Sequence, residues 1–163
     1  MFRKMRRFPQ ELSYETCKAV LRRNTSGVLS LLGDDGYPYG VPLCYFYDNG
    51  KIYFHCAKTG HKMDALRACS KVSFCVIDQD EPRQKELTTF YRSVIAFGQV
   101  RELTREEILP AIGKLTARFF PLPEGWEEKY ANSIAAMAMI ELNIEHMTGK
   151  ESIELVRDRQ KPE

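Results

Sequence analysis

The chain has 163 residues, of which 44% are hydrophobic and 28% charged, a length and composition typical of one globular domain with a substantial core. Its 24 basic and 22 acidic residues give a formal charge of +2, which offers no reason to expect a nucleic-acid partner. No apolar run approaches the length of a membrane-spanning helix, and the basic N-terminus lacks the apolar stretch of a secretory signal, so we expect a cytoplasmic protein with no membrane partner.

Runs rich in β-branched and aromatic residues, separated by turn signals such as Asp34-Asp35-Gly36, predict strands along most of the chain. The predicted strands are residues 25–32, 37–47, 51–57, 71–78, 91–103 and 137–144. Pro42 cannot donate a ladder hydrogen bond, which places its part of the second strand at an edge, a bulge or a bend. The third strand carries large side chains on both faces, as expected for a strand covered on both sides. Gly98 is expected to form a bulge or to allow close approach of another backbone.

Helix signals lie before, between and after these strands. Ser13 is a suitable N-cap for the first helix, Thr59 for a second over residues 61–69, and residues 104–107 match a capping box for a third that contains Pro110. A further short helix is predicted over residues 126–132. The polar stretch 79–89 is expected to be a mobile excursion. We predict one domain over residues 13–150, preceded by a lead-in over 1–12 and followed by a charged, fraying tail over 151–163.

Thr59-Gly60-His61-Lys62, at the start of the second predicted helix, forms a candidate phosphate site. A phosphate needs several donors that converge from one direction, and here a bare amide, a hydroxyl and a positive charge lie on the first turn. The same residues would also make an ordinary capped helix with a solvated lysine, which the local sequence alone favours. His55, at the end of an apolar strand, is either a ligand-contacting or acid–base residue or a packed strand histidine.

Motifs of several other site classes are absent. The chain has no Gly-x-Ser-x-Gly and no Gly-x-Gly-x-x-Gly, which argues against a serine hydrolase and a Rossmann domain. Its five cysteines are odd in number and none are spaced as Cys-x-x-Cys, so we expect reduced, structural cysteines rather than a disulfide framework or a zinc ribbon. The histidines add no metal-ligand spacing, and we expect no metal site.

Five blocks in order, GYPYGVPL at 36–43, IYFHCA at 52–57, TGHK at 59–62, KVSF at 71–74 and YRSVIAFGQV at 91–100, resemble the pyridoxamine 5′-phosphate oxidase-related flavoproteins. They are most similar to the branch that includes 5-nitroimidazole resistance (Nim-type) proteins, and the resemblance covers most of the chain from about Leu12 onward. It implies an antiparallel split β-barrel, mostly β with helical decoration. It also implies a homodimer with FMN bound at the subunit interface.

The resemblance implies a site residue by residue. Residues 42–44 would lie along the flavin ring, 55–57 would line the groove, 58–62 would grip the ribityl phosphate, and 92–93 would approach the flavin, either within the chain or from the partner subunit. The implied cofactor-binding residues are Pro42, Leu43, Cys44, His55, Cys56, Ala57, Lys58, Thr59, His61, Lys62, Arg92 and Ser93. His55 matches a histidine that Nim-type proteins place near the flavin, which makes it the candidate catalytic residue.

Three functions follow from these expectations. The first is an FMN-dependent oxidoreductase that reduces a small-molecule acceptor, such as a nitroaromatic, with electrons from a reduced nicotinamide. The second is a non-catalytic module that binds flavin or haem. The third, vitamin B6 oxidation, ranks last because the C-terminal residues do not reproduce the arginine-rich substrate segment of the oxidase proper. Whether the chain is an enzyme stays open at this point.

Overall fold

A computed structural model describes residues 2–159 as a seven-stranded antiparallel sheet with α-helices packed around it. The strands are β1 Ser26–Leu32, β2 Pro38–Cys44, β3 Phe46–Asp48, β4 Lys51–Ala57, β5 Lys71–Arg83, β6 Thr88–Glu102 and β7 Met137–Glu151. The helices are α1 Tyr14–Arg23, α2 His61–Ala68, α3 Arg105–Ala117, α4 Trp126–Lys129, α5 Ala131–Ala136 and α6 Ile153–Arg159, with a short 3-10 helix at Phe8–Gln10. Between residues 2 and 159, no helix has the length and apolar character needed to cross a membrane.

The strand order is β2-β1-β5-β6-β7-β4-β3, so the two edge strands are consecutive in the chain and only Tyr45 separates them. The sheet must therefore curl until its two edges approach each other, although β2 and β3 do not pair. This arrangement confirms the predicted antiparallel β architecture with helical decoration. It leaves the sheet as an open, split barrel rather than a closed one.

Two cores stabilise the molecule. The larger fills the inside of the curled sheet, where Tyr45, Phe54 and Phe74 are fully buried. The smaller lies between the outer face of the sheet and α3, and it contains Met139, Ile112 and Leu115. In this smaller core the helical segment 105–136 packs against the end of β4, and this packing fixes the surroundings of His55.

Several local predictions are confirmed. The hydroxyl of Ser13 accepts a hydrogen bond from the Thr16 amide at the start of α1, and the capping box at Thr104 opens α3. Pro42 lies on edge strand β2, one of the positions where a strand tolerates proline. Gly98 lies at a register shift between β6 and β7, and a Cβ there would come within 1.9 Å of the Asn143 carbonyl oxygen.

Other predictions of element bounds were wrong. The strand predicted over 37–47 breaks at Tyr45, whose buried ring turns inward and donates its hydroxyl to the Leu21 carbonyl at 2.8 Å. The excursion predicted over 79–89 is instead a two-stranded ribbon, because β5 and β6 keep pairing beyond a bulge after Ile77. Pro82 is tolerated there because β1 pairs with β5 only as far as Cys75.

The C-terminal half differs in the same direction, towards more regular structure. The last strand continues to Glu151, and residues 153–159 form α6 rather than a fraying tail, since Val156 is buried and Arg159 pairs with buried Glu151. The short helix predicted over 126–132 is two helices, α4 and α5, that meet at Tyr130. The end of the tail, residues 160–163, lies outside the described residues.

Candidate functional site

The first element of the site is the N-terminus of α2. Gly60, with a φ of +108°, is its N-cap, and the amides of Met63 and Asp64 both bond to the Gly60 carbonyl. Thr59 was expected to be the cap; the turn needs a left-handed backbone that only glycine adopts without strain, so the cap moves one residue onward. The amides of His61 and Lys62 precede the first helical hydrogen bond, which leaves them available to an anion.

The charged side chains around this turn point in different directions. His61 Nε2 lies 3.2 Å from Asp34 Oδ1, and its ring stacks on Tyr39 at 4.3 Å, so it is engaged with the β1–β2 turn. Lys58 Nζ donates to the Ala135 carbonyl at the C-terminus of α5, at 2.5 Å. Lys62 is half-buried, and no ion pair involves it among residues 2–159. Lys62 is therefore the cation of this group that is left to face a ligand at the turn.

Strand β4 contributes alternate residues to its two faces. Cys56 is buried against the core with Sγ 3.3 Å from Met63 Sδ, whereas His55 and Ala57 are exposed on the outer face. The prediction that both faces of this strand are covered was wrong at this end. A ligand on the outer face of β4 can therefore contact the side chains of His55 and Ala57, but only the backbone of Cys56.

The next predicted site residues, 42–44, lie on edge strand β2. Pro42 and Cys44 are exposed on its outer side, while Leu43 packs against the main core. Because β2 pairs with β1 on one side alone, the other side of its backbone is free of strand partners. A planar ligand with polar edges can hydrogen-bond to such an edge.

His55 also lines a pocket of about 370 Å³. The other lining residues come from the segment 112–137, which lies over the outer face of β4. The pocket walls are mostly aromatic and aliphatic, with Phe120, Trp126 and Tyr130 supplying the rings. Although His55 keeps contact with solvent, partial desolvation of its imidazole, with the nearby Lys62 charge as a second cause, lowers the pKa of His55 below its ordinary value. His55 is therefore neutral at pH 7, with one nitrogen as a donor and one as an acceptor.

This pocket could not be read from the sequence. The helical stripe through Ile112 and Leu115 indicated a buried face for α3, and the aromatic residues after Phe119 were visible. Nothing local indicated that α3, α4 and α5 would close over the end of β4, because that depends on contacts between segments more than 50 residues apart.

Arg92 and Ser93 lie far from the α2 turn and from the end of β4. The Arg92 guanidinium holds the fully buried Glu151 carboxylate at 3.0 and 3.1 Å and also reaches Asp78 at 3.4 Å. On β7, Arg92 pairs opposite Glu151, whereas Ala57 pairs opposite Met137 at the other end of that strand. The distance along β7 between the partners of these two residues, Met137 and Glu151, is on the order of 45 Å. Within one chain, the structure does not bring Arg92 and Ser93 to residues 55–62.

The acidic, histidine and cysteine side chains do not converge on a metal site. Over residues 2–159, no group of three such residues is placed to hold a metal ion. What the arrangement offers is a helix N-terminus with a lysine, an edge strand with a free backbone, and a neutral histidine at the mouth of an aromatic pocket.

The family model described as pyridoxamine 5′-phosphate oxidase matches residues 13–151. No curated protein matches the chain significantly. Among solved structures, an FAD-binding protein of Mesorhizobium loti is 29% identical over 87% of this chain and 96% of its own, with a TM-score of 0.61.

Two more distant structures share the fold. A candidate 5-nitroimidazole antibiotic resistance protein of Bacteroides thetaiotaomicron has a TM-score of 0.74 at 16% identity, with 86% of each chain covered. An FAD- and haem-binding protein of Mycobacterium smegmatis has a TM-score of 0.72 at 18% identity, covering 94% of this chain and 81% of its own.

Proposed function

The chain belongs to the pyridoxamine 5′-phosphate oxidase family, and from that premise we propose that it is an FMN-dependent oxidoreductase. Its acceptor would be a small molecule such as a nitroaromatic, and its donor a reduced nicotinamide. The observation that carries the proposal is the N-terminus of α2, where open amides and the uncommitted Lys62 lie close to the neutral His55. The free cysteines and the choice of donor fit a cytoplasmic location.

The residues present fit a flavin mononucleotide. A terminal phosphate suits the α2 turn, since the His61 and Lys62 amides and the Lys62 ammonium can bind it from one side. The polar edge of the ring system suits the free backbone of residues 42–44 on β2. The relative of 29% identity is described as FAD-binding, which supports a flavin of some kind at this fold.

When bound, the flavin would supply the redox chemistry by accepting electrons from the donor and passing them to the acceptor. The chain's own residues would bind and orient. Lys62 neutralises the phosphate, the β2 backbone aligns the ring, and His55 offers a hydrogen bond to an acceptor in the aromatic pocket. The pocket walls exclude water from one side of that acceptor.

We also propose a homodimer with FMN at the interface. The outer face of the sheet carries a row of directly paired, mostly apolar residues that starts at Pro42 and runs across four further strands. The rest of that row is Val28, Cys75, Ile95 and Thr148. Ile95 is 37% exposed and the neighbouring Ile77 64%, which is apolar surface that a second subunit would cover. A dimer through this face would place Ser93 of one subunit near the Pro42 edge of its partner.

Substitution of Ile95 by Glu tests the dimer. A charge at the centre of a twofold interface faces its own copy and should yield a monomer that retains FMN poorly. Light scattering and flavin content measure the two consequences. A stable dimer for Ile95→Glu, or a wild-type monomer at micromolar concentration, would overturn this part of the proposal.

The first experiment on the function is an absorption spectrum of the purified protein, with the released ligand identified by mass. We expect a flavin spectrum, release of FMN, and bleaching by reduced nicotinamide that reverses when a nitroaromatic is added. A protein that is colourless and takes up no added FMN would contradict the proposal.

A second candidate, a non-catalytic flavin- or haem-binding module, is favoured by one observation. A neutral imidazole at the mouth of an aromatic pocket is also what a haem iron would bind. The similar fold of an FAD- and haem-binding protein supports the same idea. A haem absorption band that disappears in His55→Ala would establish this candidate, whereas unchanged uptake of haem would exclude His55 as its ligand.

A further inference from the structure

A second and larger cavity, of about 850 Å³, lies against the same helices as the His55 pocket. Leu103, Ala138 and Met139 line it on the side of the sheet. Two residues, Ile134 and Met137, line both spaces, so the two spaces adjoin at these side chains. Met137 has an unbranched, flexible side chain that can turn aside without displacing the backbone.

The two spaces differ in chemical character. The pocket at His55 has three aromatic side chains and the imidazole, and it suits a flat ring with a hydrogen-bonding oxygen. The larger cavity has no aromatic lining residue, and its apolar lining residues, which include Ile108, Leu109 and Ala131, are aliphatic. Such a lining suits a flexible hydrocarbon chain.

The rim of the larger cavity favours an uncharged ligand. It carries cations and carboxylates in equal number, and the Arg67 guanidinium already lies 2.8 Å from Glu102. Lys58 on the same rim is bonded to the Ala135 carbonyl. The remaining rim residues are Arg105, Glu127 and Glu128. Since the charges of both signs balance, the rim gives little net attraction for an anionic head group such as a fatty-acid carboxylate.

We propose that the acceptor of this protein is a lipophilic quinone, with its ring in the aromatic pocket beside His55 and its aliphatic tail across Met137 in the larger cavity. This inference rests on the proposed function, because the reduced flavin is the reductant. The quinone takes two electrons and two protons, which equal the two electrons and two protons that the fully reduced dihydroflavin gives up, directly or through solvent. Both ring carbonyls become hydroxyls, and the flavin returns to its oxidised form.

The chain contains one tryptophan, Trp126, and it lies in the wall of the aromatic pocket. Its fluorescence therefore reports occupation of the ring site without turnover. The purified protein is titrated with a benzoquinone that bears a decyl chain and with the same benzoquinone without the chain. Free N-acetyltryptophanamide, quenched in parallel, corrects for collisional quenching. We expect saturable quenching by both and a dissociation constant at least tenfold lower with the chain, since each buried methylene contributes about a factor of four.

Two matched variants test where the chain lies. Ala131 lines the larger cavity, so Ala131→Phe places a bulky ring in the path of the tail and should reduce the tenfold preference to less than threefold, without changing binding of the short quinone. Asn132 is the next residue of α5, is exposed and lines neither space, so Asn132→Phe should keep the full preference. Equal loss in both variants would overturn the placement of the tail.

Further outcomes refute the proposal. Equal dissociation constants for the two quinones in the wild-type protein would overturn it, as would quenching no stronger than that of free tryptophanamide. Decanoate that competes as well as the decyl quinone would show that the ring adds nothing. The spectrum of the same sample reports the flavin separately. A protein without flavin that keeps the tail preference would refute the proposed function, and one with flavin that lacks the preference would refute the quinone.

Discussion

Lys62→Met should weaken FMN binding and leave riboflavin binding unchanged, because riboflavin has the same ring without the phosphate. Lys62 is the cation at the α2 turn that has neither a carboxylate nor a carbonyl partner among residues 2–159, and its half-burial reduces screening by solvent. A hydrogen bond between charged groups contributes about 1.5–3 kcal/mol. Taking the lower part of that range for a partly solvated site, the dissociation constant should rise roughly tenfold to thirtyfold.

The assay is a fluorescence titration of flavin-free protein with FMN and, separately, with riboflavin. Lys71→Met, at the exposed start of β5, is the control for loss of one positive charge. Lys58→Met should change FMN binding less than threefold, about 0.6 kcal/mol, since its ammonium is held by the Ala135 carbonyl. Equal weakening of FMN and riboflavin by Lys62→Met, or no change in either, would refute the phosphate assignment at this turn.

Three further predictions concern the site and the fold. His55→Gln should keep flavin content near that of the wild type while acceptor reduction falls about tenfold or more, measured at saturating donor; unchanged turnover would remove His55 from the active site. Gly98→Ala should destabilise the fold by roughly 3 kcal/mol or more in urea unfolding, because its Cβ would lie 1.9 Å from a backbone oxygen. Gly40→Ala, whose nearest contact would be an ordinary 3.5 Å, should cost under about 1 kcal/mol. Burial opposes ionisation of Asp78, but hydrogen bonds from the guanidinium of Arg23 and other donors outweigh it and hold the pKa of Asp78 below its ordinary value. Its ionisation therefore adds stability above about pH 4 that is lost as the pH falls through the lowered pKa. Asp78→Asn should reduce the dependence of the unfolding free energy on pH below about pH 4, and an unchanged slope would contradict this.

The local signals in the sequence were sufficient for many of the elements. The Ser13 cap, the capping box at Thr104 and the strand over residues 51–57 are all found where they were expected. These features depend on hydrogen bonds and side-chain alternation within a few residues, which the sequence displays directly. The cap of α2 was misassigned by one residue because Thr59 and Gly60 both satisfy the local pattern, and only the backbone conformation distinguishes them.

For the candidate site, too, features within one segment were predictable and contacts between distant segments were not. The sequence indicated the turn at 59–62, the edge strand at Pro42 and the strand that carries His55, all from patterns within one segment. It could not show that His61 stacks on Tyr39 or that Lys58 bonds to α5, since each contact joins segments more than 20 residues apart. Nor could it show that Arg92 lies at the far end of β7 from Ala57, because that follows from the strand order.

Short-range patterns along the chain were sufficient to predict the antiparallel β class, the turns and caps, and the stretch with the chemistry to hold a phosphate. The tertiary structure alone decided which lysine faces that turn, that residues 112–137 close over His55, and that an aliphatic cavity adjoins the aromatic pocket. The physical reason is range. Backbone hydrogen bonds and capping are set by neighbours in the chain, whereas the direction of a side chain and the shape of a cavity are set by packing between distant segments.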